Sequence, residues 1–154
     1  MNRKTILLVG IAVVSSLVAP AAQGDETVTA KAIQGSWTCH SAVIDGRPLG
    51  DEIVKQLRLT LTADRYKSER GDQVLFDSTY TLDANKTPAH IDMVGTEGDL
   101  KGKSAPGILK LDGDRLTMCY VMPGKDRPTS FDSQPQSGAF LVVWKRAEKA
   151  GESK

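Results

Sequence analysis

Alternation is what most constrains this chain. Residues 57 to 62 read Leu-Arg-Leu-Thr-Leu-Thr, with apolar side chains at Leu57, Leu59 and Leu61 and polar ones between them. Successive side chains of an extended strand point to opposite faces, so the segment has one dry face and one wet face. Val74, Phe76, Ser78, Tyr80 and Leu82 repeat the pattern beside Asp77, Thr79 and Thr81. Shorter runs at Tyr66 to Ser68, His90 to Val94, Gly107 to Leu111, Arg115 to Val121 and Phe140 to Arg146 follow it too. With Gly35 to Ile44 they bring the expected strands to about eight.

Turn chemistry falls between the runs. Asp112-Gly113 separates Leu109 and Leu111 from Leu116 and Met118, and an Asp-Gly pair readily takes the positive φ angles of a two-residue hairpin turn. Asp45-Gly46 and Arg70-Gly71-Asp72 are similar breaks. Asp51 to Gln56 alone reads as a short helix, begun by an acidic cap. Short connections and one apolar face per strand predict an all-β fold, an eight-stranded antiparallel up-and-down barrel with one short helix. Closure removes the exposed edges of a meandering sheet. A two-sheet β-sandwich is the alternative.

The ends are read separately. Asn2-Arg3-Lys4 is a positive start, Ile6 to Val18 is uncharged and mostly apolar, and Ala19-Pro20-Ala21-Ala22 supplies small residues. Residues 1–24 therefore have the form of a secretory signal peptide, too short in its apolar part to span a bilayer. Export to a periplasmic or extracellular space is the expectation, with no stable membrane span after cleavage. Residues 25–147 form the barrel domain, and 148–154, within a tail of alternating Lys, Arg, Glu and Ala, read as a solvated, disordered end. Without the leader, 18 basic side chains face 19 acidic ones. Such balance argues against nucleic acid, which requires a concentrated basic surface.

At Gln34-Gly35-Ser36-Trp37 the chain resembles the lipocalin and calycin barrels, which open their first strand with Gly-x-Trp and close their last with a basic residue, here Lys145-Arg146. That resemblance implies that Trp37 and Arg146 seal one end of the barrel. A guanidinium over an indole is worth about 0.5 to 2 kcal/mol. Ile44-Asp45-Gly46, Gly102-Lys103, the run from Gly107 to Cys119, Arg127-Pro128-Thr129 and Phe131 extend the likeness over residues 31 to 147. They make the chain similar to an uncharacterised family of exported lipocalin-like domains from planctomycetes and related bacteria. The resemblance implies no established activity and carries over no catalytic residues.

Several chemistries find little support. Gly98 to Ser104 looks like a phosphate loop but has three residues between its glycines where four are needed, and Pro106 blocks the helix that would follow. It reads better as a glycine-rich hairpin turn. His40, His90, Cys39 and Cys119 lack the short spacings of a structural zinc site, so no metal or cofactor is expected. Cys39 shares the inward phase of Trp37 whereas Cys119 lies out of phase with Leu116, Met118 and Tyr120, which argues against a disulfide and leaves it open. Neither a Gly-x-Ser-x-Gly elbow nor a His-Glu-x-x-His pair occurs, so no enzyme is advertised.

Two functions from different classes follow. The leading one is a monomeric binding module holding a small apolar or amphipathic molecule in the barrel, with Leu59, Phe76, Tyr80, Met93, Met118 and Tyr120 as candidate lining. Its competitor for those residues is a fully packed interior, since eight strands enclose little more than a core. The alternative function is a protein-interaction or inhibitor module that contacts an extracytoplasmic protein through the long connection 122–138, with Arg127 and Phe131 as contact candidates. That connection is rich in Pro, Gly, Ser and Gln, and Phe131 is expected to fold it back onto the barrel.

Overall fold

The computed structural model describes residues 27–148. The expected leader, 1–24, and residues 149–154 of the expected tail lie outside them. Strands β1 (Gly35–Ile44), β2 (Arg47–Pro48), β3 (Leu57–Leu61), β4 (Arg65–Arg70), β5 (Gln73–Asp83), β6 (Ala89–Gly95), β7 (Ser104–Asp112), β8 (Arg115–Val121) and β9 (Ala139–Arg146) form one antiparallel sheet in the order β2-β1-β3-β4-β5-β6-β7-β8-β9. Strand β1 also pairs with β9, from Trp37 opposite Arg146 to Ile44 opposite Phe140. That pairing closes eight strands into a barrel, with β2 as a short appendage on β1, and excludes the sandwich.

The alternation is realised along most of the expected strands but fails at Val74, which is exposed. There the register of β4 with β5 shifts between Ser68 and Glu69, with Leu75 as the extra residue. Leu57, Leu59 and Leu61 are buried while Arg58 is exposed, and Ala89, Ile91 and Met93 are buried on β6 between half-buried neighbours. Strand β1 departs from strict alternation. Its register with β9 shifts between Cys39 and Ser41, a bulge that leaves His40 unpaired and moves the inward phase from Trp37 and Cys39 to Ala42 and Ile44.

Two turns and both helices refine the sequence expectation. Asp112 pairs with Arg115, so the central residues of that hairpin are Gly113 and Asp114, with Gly113 at φ +58°, rather than Asp112 and Gly113. Asp45 and Gly46 do form a two-residue turn, both at positive φ. The helix read over Asp51 to Gln56 is α2 (Asp51–Val54), and its cap is Gly50, which makes no side-chain capping bond; Asp51 lies within the first turn. A second helix, α1 (Ala30–Ile33), contradicts the expectation of one. Thr29 caps it, accepting a hydrogen bond from the Ala32 amide at 3.0 Å. A 3₁₀ turn over Gly98–Leu100 joins β6 to β7, where the glycine-rich turn was expected.

Helix α1 plugs one end of the barrel. Ile33 and Trp37 are fully buried there, and the Trp37 indole N–H donates to the Ile33 carbonyl at 3.0 Å. The Arg146 guanidinium lies 4.2 Å above the Trp37 ring and donates to the carbonyls of Gln34 and Ala32 at 3.1 and 2.9 Å. These are carbonyls at the end of α1 that the helix itself leaves unpaired. Gly35 stands at φ +127°, and a Cβ there would lie 3.3 Å from the guanidinium. The Gly-x-Trp pair thus combines a backbone angle that glycine tolerates with room for the arginine.

Candidate functional site

The barrel is solid in one half and hollow in the other. Toward the plugged end Leu59, Leu61, Ile91, Met93, Leu109, Leu111, Leu116 and Met118 are buried in one continuous core around Trp37. Toward the opposite end a cavity of about 430 Å³ opens, within the range of small-molecule pockets. Its walls come from β1, β3, β4, β5, β7, β8 and β9. Tyr66, Phe76, Ala105, Tyr120, Val142 and Trp144 form the interior lining, and Leu49 and Ile53, before and within α2, lean over the mouth.

Of the six lining candidates read from the sequence, Phe76 and Tyr120 line the cavity. Leu59, Met93 and Met118 do not; they are fully buried and fill the closed half. Tyr80 also belongs to that core, and its hydroxyl donates to the Thr62 carbonyl at 2.6 Å. The correction has a simple cause. Alternation tells which side chains point inward, but depth along the barrel depends on strand stagger, which alternation leaves undetermined.

Small residues make the hollow. Ala42 on β1, Ser68 on β4 and Ala105 on β7 occupy inward positions near the open end, while Leu, Met and Trp occupy their counterparts below. Gly107, inward on β7, lies beside Tyr120, and a Cβ there would come within 2.8 Å of the Tyr120 Cβ. Gly95 plays a different part. A Cβ at that position would strike the Leu100 carbonyl oxygen, so the missing side chain lets the 3₁₀ turn pack against β6 and present Leu100 to the cavity. Tyr120 stacks on Phe140 with ring centroids 5.0 Å apart, and Tyr66 meets Phe76 edge-on at 6.0 Å.

The lining is apolar with few polar exceptions, and two of these matter. Trp144 Nε1 and Tyr66 Oη are buried and make no hydrogen bond of good geometry, although the Tyr120 and Ser68 hydroxyls stand close enough to Tyr66 Oη to perturb its phenol. Burial, with a smaller contribution from neighbouring Tyr120, drives the Tyr66 phenol well above its ordinary range. Burial likewise pushes Tyr120 up to about 12. Both phenols therefore stay protonated near neutrality. Arg70, exposed at the mouth, is the one charged residue of the lining, and its Nε donates to the Gln56 side chain at 3.4 Å. Neither Tyr66 nor Trp144 was among the candidates, although both lie in inward phase in segments read as strands. An aromatic residue carrying a polar atom in such a position is the signal that would have found them.

The connection 122–138 folds back as expected, but onto the outer wall of the barrel and not across its mouth. Phe131 packs on a second apolar cluster formed by the outward side chains Ile108, Cys119, Val121 and Ala139, with the Lys110 ammonium 4.9 Å from its ring centre. Arg127 donates to the carbonyls of Ile91 and Gly107 at 3.0 and 2.8 Å and to the Asp92 carboxylate at 2.7 Å. Ser133 bridges the far end, accepting from the Gly46 amide at 3.0 Å and donating to the Ala139 carbonyl at 2.7 Å. The two contact candidates thus use their side chains on the chain's own barrel.

Both cysteines are free, one on each side of the wall. Cys39 is half-buried against the interior core, and burial lifts its thiol to about 11. Cys119 is fully buried on the outer face, where its thiol donates to the Asp132 carbonyl at 3.4 Å. Among the described residues no three His, Cys, Asp or Glu side chains gather as metal ligands would. His40 sits at the β1 bulge and His90 on β6. Comparison of the chain with protein-family models, with curated proteins and with solved structures finds no match.

Proposed function

We propose that this chain is an exported, lipocalin-like binding module whose open-ended cavity takes one small apolar or amphipathic molecule. The observation that carries the reading is the division of the interior, solid around Trp37 and hollow beyond Tyr66 and Trp144. Leaving a cavity of about 430 Å³ unfilled forgoes packing that larger side chains at Ala42 or Ala105 would recover. Pockets of this kind, mostly apolar with a few placed polar atoms, are where small molecules bind. In this reading the protein carries or senses its ligand, acts as a monomer and performs no chemistry on it. The kinship with the uncharacterised exported family belongs to the same proposal, supported by the closed barrel and by the contact of Trp37 with Arg146.

The test is direct. The environment-sensitive dye phenylnaphthylamine is expected to bind with saturable one-to-one stoichiometry and to brighten on entering the cavity. Ala105→Phe, which fills the hollow, is expected to abolish the signal, with the far-ultraviolet circular dichroism unchanged. Dye binding that ignores Ala105→Phe in a folded variant would place the site elsewhere and refute the reading.

A further inference from the structure

Buried polar groups in folded proteins nearly always have partners, and each exception calls for a reason. Three side-chain atoms lack one of good geometry among the described residues: Tyr66 Oη, Ser78 Oγ and Trp144 Nε1. Two of the three belong to side chains that line the cavity. Trp144 pairs with Cys39 and Leu116 across the sheet, one inward step above the layer of Trp37 and Arg146. Tyr66, the first inward side chain of β4, pairs with Leu61, the last residue of β3 at its closed end, and with Ser78. The two orphans therefore lie at the floor of the hollow, far from the mouth at Arg70 and Leu75.

The chemistry of the floor favours an acceptor: its two unpartnered polar atoms each carry a proton, although the Tyr66 oxygen, like the nearby Ser68 and Tyr120 hydroxyls, can also accept. An indole N–H only donates, and a protonated phenol has a proton to give. No cation lines the floor, because the single charged lining residue, Arg70, stands exposed at the mouth. A carboxylate lowered to this depth would lose its water without gaining a counter-charge. A neutral carbonyl oxygen loses much less and has two lone pairs for two donors. An all-hydrocarbon guest would offer neither donor a partner.

Accepting the cavity as the binding site, we propose that its ligand is an apolar molecule bearing a neutral carbonyl, such as a ketone, ester or amide, that enters carbonyl first and accepts hydrogen bonds from Trp144 Nε1 and Tyr66 Oη. The hydrocarbon part then lies along Phe76, Val142 and Phe140 toward the mouth. Polar end down is the reverse of the arrangement that Arg70 alone would select, in which an anionic head stays at the rim.

Three probes of matched length decide the matter: methyl octyl ketone, decane and decanoate, each displacing phenylnaphthylamine from the full chain and from its Tyr66→Phe variant. Tyr66→Phe is expected to weaken the ketone about tenfold and to leave decane within about twofold, since one satisfied buried donor is at stake. In the nitrogen-labelled protein the Trp144 indole N–H resonance, assigned through Trp144→Phe, is expected to move downfield with ketone alone. The Trp37 resonance, already bonded to the Ile33 carbonyl, is expected to stay. Decane and ketone binding alike in both proteins, with the Trp144 resonance unmoved, overturns the carbonyl-first inference and leaves the cavity reading standing. Tightest binding by decanoate, lost in Arg70→Gln, overturns it in favour of an anion at the rim. Failure of the dye and all three probes to bind defeats the cavity reading itself, and the inference with it.

Discussion

Arg127→Ala is expected to release the 122–138 connection from the barrel wall without opening the barrel. The guanidinium makes three contacts, and the two to the carbonyls of Ile91 and Gly107 are charge-assisted bonds to backbone already engaged in the β6–β7 pairing. The third, to Asp92, is a partly exposed ion pair, with side chains 26% and 39% accessible, and counts for about 0.5 kcal/mol. Hydrogen bonds to charged groups contribute about 1.5 to 3 kcal/mol, but the carbonyls regain water once the connection lifts. A loss of about 2 kcal/mol in the free energy of local opening is the result. Since 1.4 kcal/mol is a factor of ten, the opened fraction rises roughly 30-fold.

Cys119 reports that fraction, because the connection covers it and its thiol is fully buried. In a Cys39→Ser background, the rate of modification by an excess-thiol reagent, measured where reclosing outpaces reaction, follows the open population. It is expected to rise roughly 30-fold on Arg127→Ala. Arg146→Ala is the control: it loosens the plugged end and lowers the unfolding midpoint while leaving Cys119 protected. Equal acceleration by both substitutions would mean that Cys119 is reached only through global unfolding, and the connection would not be a separate cooperative unit.

Other outcomes follow from the closed end and the cavity. Tyr66→Phe is expected to stabilise the ligand-free protein by about 1 kcal/mol in urea titration, because it removes a buried hydroxyl that makes no hydrogen bond of good geometry; the same change weakens the carbonyl probe, a trade of stability against binding. Alkaline titration should show stability falling as pH rises above about 10, where the phenols of the unfolded chain ionise and those of the folded chain do not, and the decline should continue toward the Tyr120 value of about 12. Tyr120→Phe should make that decline shallower; an unchanged slope would refute the assignment. Gly35→Ala is expected to cost about 1 to 3 kcal/mol in thermal unfolding, since it strains a backbone at φ +127° and crowds the Arg146 guanidinium.

Much of the architecture is legible in the chain. Period-two patterning at Leu57 to Leu61 and at Phe76 to Leu82 assigns an inward face without reference to anything distant, because the pleat of a strand is a local property. Cys39 inward and Cys119 outward follow from the same counting. Helix α1 escapes it: a four-residue turn shows no periodicity, and its signature is Thr29 before Ala30-Lys31-Ala32. The bulge at His40 escapes too, because its cause lies in fitting β1 to β9 rather than in β1.

What the residues determine alone is therefore the eight strands of the barrel and the face each one buries; β2 escapes the pattern, and the contact of Trp37 with Arg146 is legible only through the resemblance to the lipocalin barrels. Tertiary structure alone decides depth. Whether an inward side chain fills the core, as Met93 and Met118 do, or borders a hollow, as Phe76 and Tyr120 do, depends on the stagger of eight strands around a closed ring. The same holds for Tyr66 and Trp144. Hydrogen-bond satisfaction in a barrel is a matter of what stands across the interior, and a partner across the interior has no fixed distance along the chain.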